Sequence, residues 1–313
     1  STLQPLHLGL TPWDFSDLNA PNLCRQAKLA EDLGYESLWL PENHFGENAL
    51  PDPLTLLASV AGATDNIRLG TTSYLLTLRN PLQAAEQVAV LDQLSGGRLI
   101  LGVGRGYAPE MLKAFHVPAK EKRRIFAWTL GLMRQAWAGE AVSLDGDPDA
   151  AVQVHPRPLQ QPEPPIWVAA FGPKALAQAG RLGLPYLCSP MESLSTLEIN
   201  YGAHATAARE ADQAVPGTVP LMRTVFVSRD AAELDQVRAL MAERSDNDRI
   251  QAGEDFQDWT IIGTPDEVLD SIATYQERLG MTHLIATRLR IGGLAESMLL
   301  DSVALLAEIV RRG

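Results

Sequence analysis

Cysteine is nearly absent: the 313 residues hold two, Cys24 and Cys188. They lie far apart and in no metal-like spacing. This argues against a disulfide framework or a bound metal and for two reduced thiols in or near the core. Positive charge is also short. Lys plus Arg is 26 against 38 Asp plus Glu, a net charge of −12. An acidic surface disfavours nucleic acid or an anionic membrane as the main partner, while leaving room for a local basic pocket. No apolar run reaches the length of a transmembrane helix. The amino terminus shows no basic start followed by an apolar block, so a secretion signal is not expected and a reducing cytoplasm fits best.

What is present is an alternation of short apolar runs and longer amphipathic ones. Strands are expected at 6–10, 37–40, 67–72, 98–103, 166–170, 185–188, 219–227 and 283–287. Helices are expected at 22–33, 54–63, 82–94, 120–138, 174–182, 194–211, 231–242, 265–279 and 294–311. Thr264 caps one of them, and Gly34 stops another. Alternation of this kind implies a parallel sheet with right-handed crossovers. Eight strand–helix units in this length favour an α/β fold of the (β/α)8 TIM-barrel type, one domain over residues 1–313. Two stretches break the repeat and read as inserted loops: 139–165, rich in Gly, Pro and Asp, and 243–262, with Asp246, Asn247, Asp248 and Gly253. An open dinucleotide-binding sheet fits less well. The only glycine-rich turn after a strand, Gly102-Val103-Gly104-Arg105-Gly106, lacks the spacing of the dinucleotide fingerprint.

In such a barrel, chemistry sits at the carboxyl ends of the strands. After the second strand come Glu42, Asn43 and His44. Glu42 and His44 can handle protons, since a carboxylate tunes a neighbouring imidazole; the plain alternative is a loop histidine bonded to backbone. After the fourth strand comes Arg105 between two glycines, which suits a phosphate approaching bare backbone. The alternative is an arginine paired with a carboxylate at the rim. Ala170-Phe171-Gly172-Pro173 follows the fifth strand and opens a helix, whose free amides bind anions. Arg105 and this helix start come from neighbouring units, and together they suggest a phosphorylated ligand.

These residues carry a family resemblance. The run Leu38-Trp39-Leu40-Pro41-Glu42-Asn43-His44-Phe45 resembles the luciferase-like monooxygenases. So do Gly70-Thr71-Thr72-Ser73-Tyr74-Leu75, then Asn80-Pro81 and Ala85-Glu86-Gln87-Val88. The stretch Leu91-Asp92-Gln93-Leu94-Ser95-Gly96-Gly97-Arg98 continues the match into Leu101–Gly106, and Ile262-Gly263-Thr264-Pro265-Asp266-Glu267-Val268 closes it.

The resemblance implies a flavin-dependent monooxygenase that uses reduced FMN and O2 on a small organic substrate. A partner flavin reductase would supply the FMN, and the chain would pair as a homodimer through a face including helix 82–94. Thr71, Thr72, Ser73, Gly104, Arg105, Ala170, Phe171, Gly172 and Met191 would hold the cofactor. Thr72-Ser73 matches the family's non-proline cis peptide, Arg105 its phosphate-binding arginine, and Met191 the wall near the ring. Glu42, Asn43 and His44 would be catalytic. Some members of the family use the deazaflavin F420 instead. Lys174 is the candidate for an extra cation at its acidic tail. A non-catalytic flavin binder is a third reading. Three positions depart from luciferase. Asn43 stands where the first of two histidines does, Gly104 where a reactive cysteine does, and Ala175 where a threonine does. Asn cannot trade protons near neutrality, so proton handling falls to His44, Glu42 or water.

Overall fold

The computed structural model describes residues 2–15, 17, 19–244 and 254–313. Its strands are β1 His7–Leu10, β2 Ser37–Leu40, β3 Arg68–Thr71, β4 Tyr74–Leu75, β5 Leu99–Gly104, β6 Ile166–Ala169, β7 Tyr186–Leu187, β8 Pro220–Val227, β9 Thr260–Gly263 and β10 His283–Thr287. Two compact units emerge. One holds Ser1–Ser16, Leu29–Leu38 and Ala170–Gly313; the other holds Asp17–Lys28 and Trp39–Ala169.

In the first unit the strands pair in parallel: β1 with β2 and with β10, β10 with β8, and β8 with β9. In the second, β5 takes β3 and the short β4 on one edge and β6 on the other, again in parallel. Parallel neighbours need long crossovers, and the amphipathic segments supply them as helices. The strands β2, β5 and β8 are buried at every residue. That continuous burial is typical of a parallel sheet covered on both faces, and it explains why these segments read as unbroken apolar runs. Helix starts follow local chemistry. Asn80 accepts from the Leu82 and Gln83 amides ahead of Pro81–Leu94. Thr264 and Glu267 form a reciprocal capping box on Pro265–Leu279, which ends at left-handed Gly280.

The expected elements recur with ends shifted by one or two residues. Apart from short 3-10 turns, three elements were not anticipated: β4, the short helix Pro109–Ala114, and β9. The expectation of a loop over 243–262 is therefore corrected at its end. Thr260–Gly263 registers against Thr224–Val227, and that pairing satisfies backbone groups of a run too short to announce itself. Asp246, Asn247, Asp248 and Gly253 lie outside the described residues. The 139–165 stretch is mostly irregular, held by a Val142–Val152 bridge and by cis bonds before Pro156 and Pro162.

The first unit is organised around a fully buried cation. The Arg223 guanidinium donates to the carbonyls of Met222 (2.6 Å), Glu192 (2.6 Å), Ser189 (2.8 Å) and Trp259 (3.3 Å), and to the Tyr275 hydroxyl at 3.4 Å. The Glu192 carboxylate beside it accepts from the Ser189 amide and from Asn200. Both cysteines are free. Burial pushes the Cys188 thiol up, which keeps it protonated and unreactive.

His204 in the same unit is buried and donates from Nε2 to the Leu184 carbonyl at 2.8 Å. Burial lowers its pKa, and the Leu184 bond opposes that shift. The unfolded chain therefore takes up a proton near pH 6.5 that the folded chain resists. The His204 contribution is complete above that pH and is lost as the pH falls below it. Urea midpoints at pH 7.5 and 5.5 should differ, with the lower value at pH 5.5, and His204→Gln should shrink the gap. An equal gap in both proteins would contradict this.

Candidate functional site

In the second unit the segment after β2 turns back toward β4. The Glu42 side chain is wholly buried, and three donors reach it. The Leu75 amide donates to Oε1 at 3.2 Å, Arg79 Nη1 donates to Oε2 at 2.8 Å, and His44 Nε2 meets Oε2 at 2.7 Å. Sequence reasoning paired Glu42 with His44 but missed Arg79, although it sits directly before the family-like Asn80-Pro81. Arg79 also donates to the Leu75 carbonyl at 2.9 Å and lies 4.1 Å over the Tyr74 ring. Burial pushes the Tyr74 phenol up to about 12, so it stays neutral at working pH.

His44 is nearly enclosed, its ring edge-on to Phe115 and tilted against Phe45. Phe45 and Phe115 stack on each other at 5.6 Å, although Phe45 is 67% exposed. A pocket of about 230 Å³ is lined by His44, Arg79, Asn80, Gln83, Gln87 and Phe115, with Leu78. Asn43 points elsewhere: its side-chain oxygen accepts from the Leu50 amide at 2.7 Å and clamps its own loop.

The carboxyl ends of β3 and β5 meet in the same unit. The Thr72–Ser73 peptide is cis, as the resemblance implies. The Thr71 hydroxyl donates inside the fold to the Gly102 carbonyl at 2.7 Å, and the Thr72 amide donates to the Leu40 carbonyl at 2.8 Å. A side chain at Gly104 would collide with Ser73 Oγ. The strand thus ends in bare backbone where Ser73 crosses it. Gly106 has φ 76°, which favours glycine, and turns the chain after Arg105.

Arg105 is half-buried in a cationic setting. Its pKa is lowered first by burial and then by Arg123, and that of Lys122 first by burial and then by Arg105. Among the described residues neither Arg105 nor Lys122 has a carboxylate within ion-pair distance. Lys122 donates to the Gly106 carbonyl at 3.2 Å. Like charges held together in a chain of net charge −12 are costly unless an anion joins them. Lys122 and Arg123 escaped notice because they open the amphipathic helix Lys122–Trp137 and read as its solvated face.

The remaining expected residues belong to the first unit. Ala170 is buried and Phe171 exposed. Gly172, at φ 86° and ψ 163°, precedes the helix Pro173–Arg181, whose first turn has no side-chain cap. Open space surrounds the position a Gly172 Cβ would take. Met191 is buried in an apolar cluster with Phe226, Trp259 and Leu289.

The luciferase-like monooxygenase family matches residues 9–283, so the chain belongs to that family. The uncharacterized protein y4vJ of Sinorhizobium fredii is 34% identical over 221 residues, 68% of this chain and 62% of its own length. The chain spans less than two thirds of the two Sinorhizobium fredii relatives it matches, 62% and 58%. The F420-dependent glucose-6-phosphate dehydrogenase of Beutenbergia cavernae is 30% identical over 82% of this chain and 84% of its own. The crystal structure of monooxygenase RslO1 from Streptomyces bottropensis is 25% identical, covers 98% of this chain and 99% of its own, and superposes with a TM-score of 0.82. The fold class is thus α/β, of the (β/α)8 TIM-barrel type, and the family is one of oxidoreductases. Among the described residues no helix is long and apolar enough to cross a membrane, and no group of His, Cys, Asp or Glu is placed to hold a metal.

Proposed function

We propose that this chain is a flavin-dependent monooxygenase, one barrel domain that uses reduced FMN and O2 on a small organic substrate. The observation that carries the reading is the half-buried cation group Arg105, Lys122 and Arg123 beside the bare backbone of Gly104. It suits a dianionic phosphate, which neutralises the mutual repulsion and gains charge-assisted hydrogen bonds. Arg105 would hold the phosphate with Lys122 and Arg123. Thr71, Thr72, Ser73 and Gly104, of the same unit, would line the rest of the cofactor. Bound reduced flavin supplies the electrons that activate oxygen. The chain's own share is binding, exclusion of water and proton handling. Glu42 orients His44, and His44 holds or passes a proton at its ring nitrogen. Asn43 shapes the loop that carries His44.

A flavin reductase would deliver the reduced cofactor, and two free thiols suit a cytoplasmic setting. Val90 and Leu94, exposed on helix Pro81–Leu94, support pairing as a homodimer.

A second reading has its own support. F420 carries a longer acidic tail than FMN, and Lys122 and Arg123 supply basic groups beyond Arg105 for it. The Beutenbergia cavernae relative is named as F420-dependent. Anaerobic fluorescence titration with reduced FMN and with F420, followed by oxygen-uptake assays on small ketones and aldehydes, separates the two. Tight FMN binding with substrate-dependent oxygen incorporation is expected. Tight F420 binding with oxygen-independent turnover would replace the monooxygenase reading, and binding of neither would overturn both.

A further inference from the structure

Glu42 has two carboxylate oxygens and three donors around them. Oε1 receives the Leu75 amide, and Oε2 receives Arg79 at 2.8 Å. A carboxylate so engaged can only accept from His44, 2.7 Å away. The neutral imidazole must then carry its hydrogen on Nε2, which leaves Nδ1 as its lone-pair atom. Arg79 is itself well fixed. Its Nη1 is shared with the Leu75 carbonyl at 2.9 Å, its guanidinium lies 4.1 Å over the Tyr74 ring, and its side chain is only 17% exposed. Without that cation, the buried Glu42 would keep its charge at high cost or share a proton with His44.

We propose that Arg79 is a positioning residue. Acting through Glu42, it locks His44 as the Nε2–H tautomer and makes Nδ1 the proton-accepting atom of the pocket lined by Asn80, Gln83, Gln87 and Phe115. This deepens the reading of His44 as the proton-handling group and rests on it. The plain alternative is a structural staple, in which Arg79 ties the segment after β2 to the end of β4 with no influence on the imidazole.

The test uses the whole chain labelled with 15N-histidine, without flavin, at pH 8, with the His44 signal assigned by its loss in His44→Gln. The wild type should show one tautomer, with Nδ1 unprotonated. Arg79→Lys should keep it. Arg79→Met should give a mixture of tautomers, and so should Arg79→Gln, a polar variant to be read should the Met protein fail to fold. With reduced cofactor and substrate, kcat of the Met variant should fall ~10-fold or more while KM stays within about threefold, and Lys should restore most of the loss. A single unchanged tautomer in both the Met and Gln variants overturns the proposal, whatever the activity. The expected tautomers in a wild type that shows no flavin-dependent turnover would uphold the role of Arg79 and defeat the monooxygenase reading.

Discussion

Replacing Arg105 by Met should weaken binding of reduced FMN by ~100-fold while leaving phosphate-free riboflavin almost unaffected. Removing one member of a partly desolvated charge pair costs roughly 2–5 kcal/mol, and each 1.4 kcal/mol is a factor of ten. Arg105 is the half-buried cation of its group, and Lys122 stands against it with its pKa depressed by burial and by that arginine. In the Met variant FMN should lose most of its advantage over riboflavin. Lys122→Met, a longer-range neighbour, should cost about tenfold or less. Anaerobic fluorescence titrations of both ligands on the three proteins provide the measurement. Equal weakening of FMN and riboflavin would mean that Arg105 shapes the pocket rather than holding phosphate.

Arg223→Met should be the most destabilising single change in the first unit, by ~3–5 kcal/mol. The methionine fills much of the volume but offers no donors. The carbonyls of Glu192, Ser189 and Trp259 would then lose the guanidinium that serves them. Each buried acceptor left unsatisfied costs roughly 1–3 kcal/mol. The thermal midpoint should fall by about 10 °C. Arg223→Lys should recover only part of this, because an ammonium cannot span the separate carbonyls that a planar fork reaches. Thermal melts followed by circular dichroism test both. A midpoint unchanged in Arg223→Met would show that the carbonyls find other donors.

Arg223 also marks where sequence reading stops. It lies inside β8, a run of eight residues that reads as buried strand, and its neighbours Val225–Val227 announce that strand clearly. Nothing local says that its guanidinium will find carbonyls 31 to 36 residues away. The parallel strands and their helices were legible because burial on both faces leaves unbroken apolar runs. The Thr264 cap was legible because its partner lies within three residues. β9 was not, since four residues following a polar stretch carry too little pattern, and only pairing with β8 defines them. The site divides in the same way. Glu42 and His44 are two residues apart and could be paired on paper. Arg79 reaches the same carboxylate across 37 residues, and Lys122 and Arg123 gather near Arg105 through tertiary folding alone.

The bare position at Gly104 ties two sites of variation together. Where luciferase carries a reactive cysteine, this chain has Ser73 Oγ standing in the space the first side-chain carbon would need. A side chain at position 104 would require the Ser73 hydroxyl to rotate away or the serine to give way to a smaller residue. Among relatives, the residue tolerated at one of these positions should depend on the residue already held at the other.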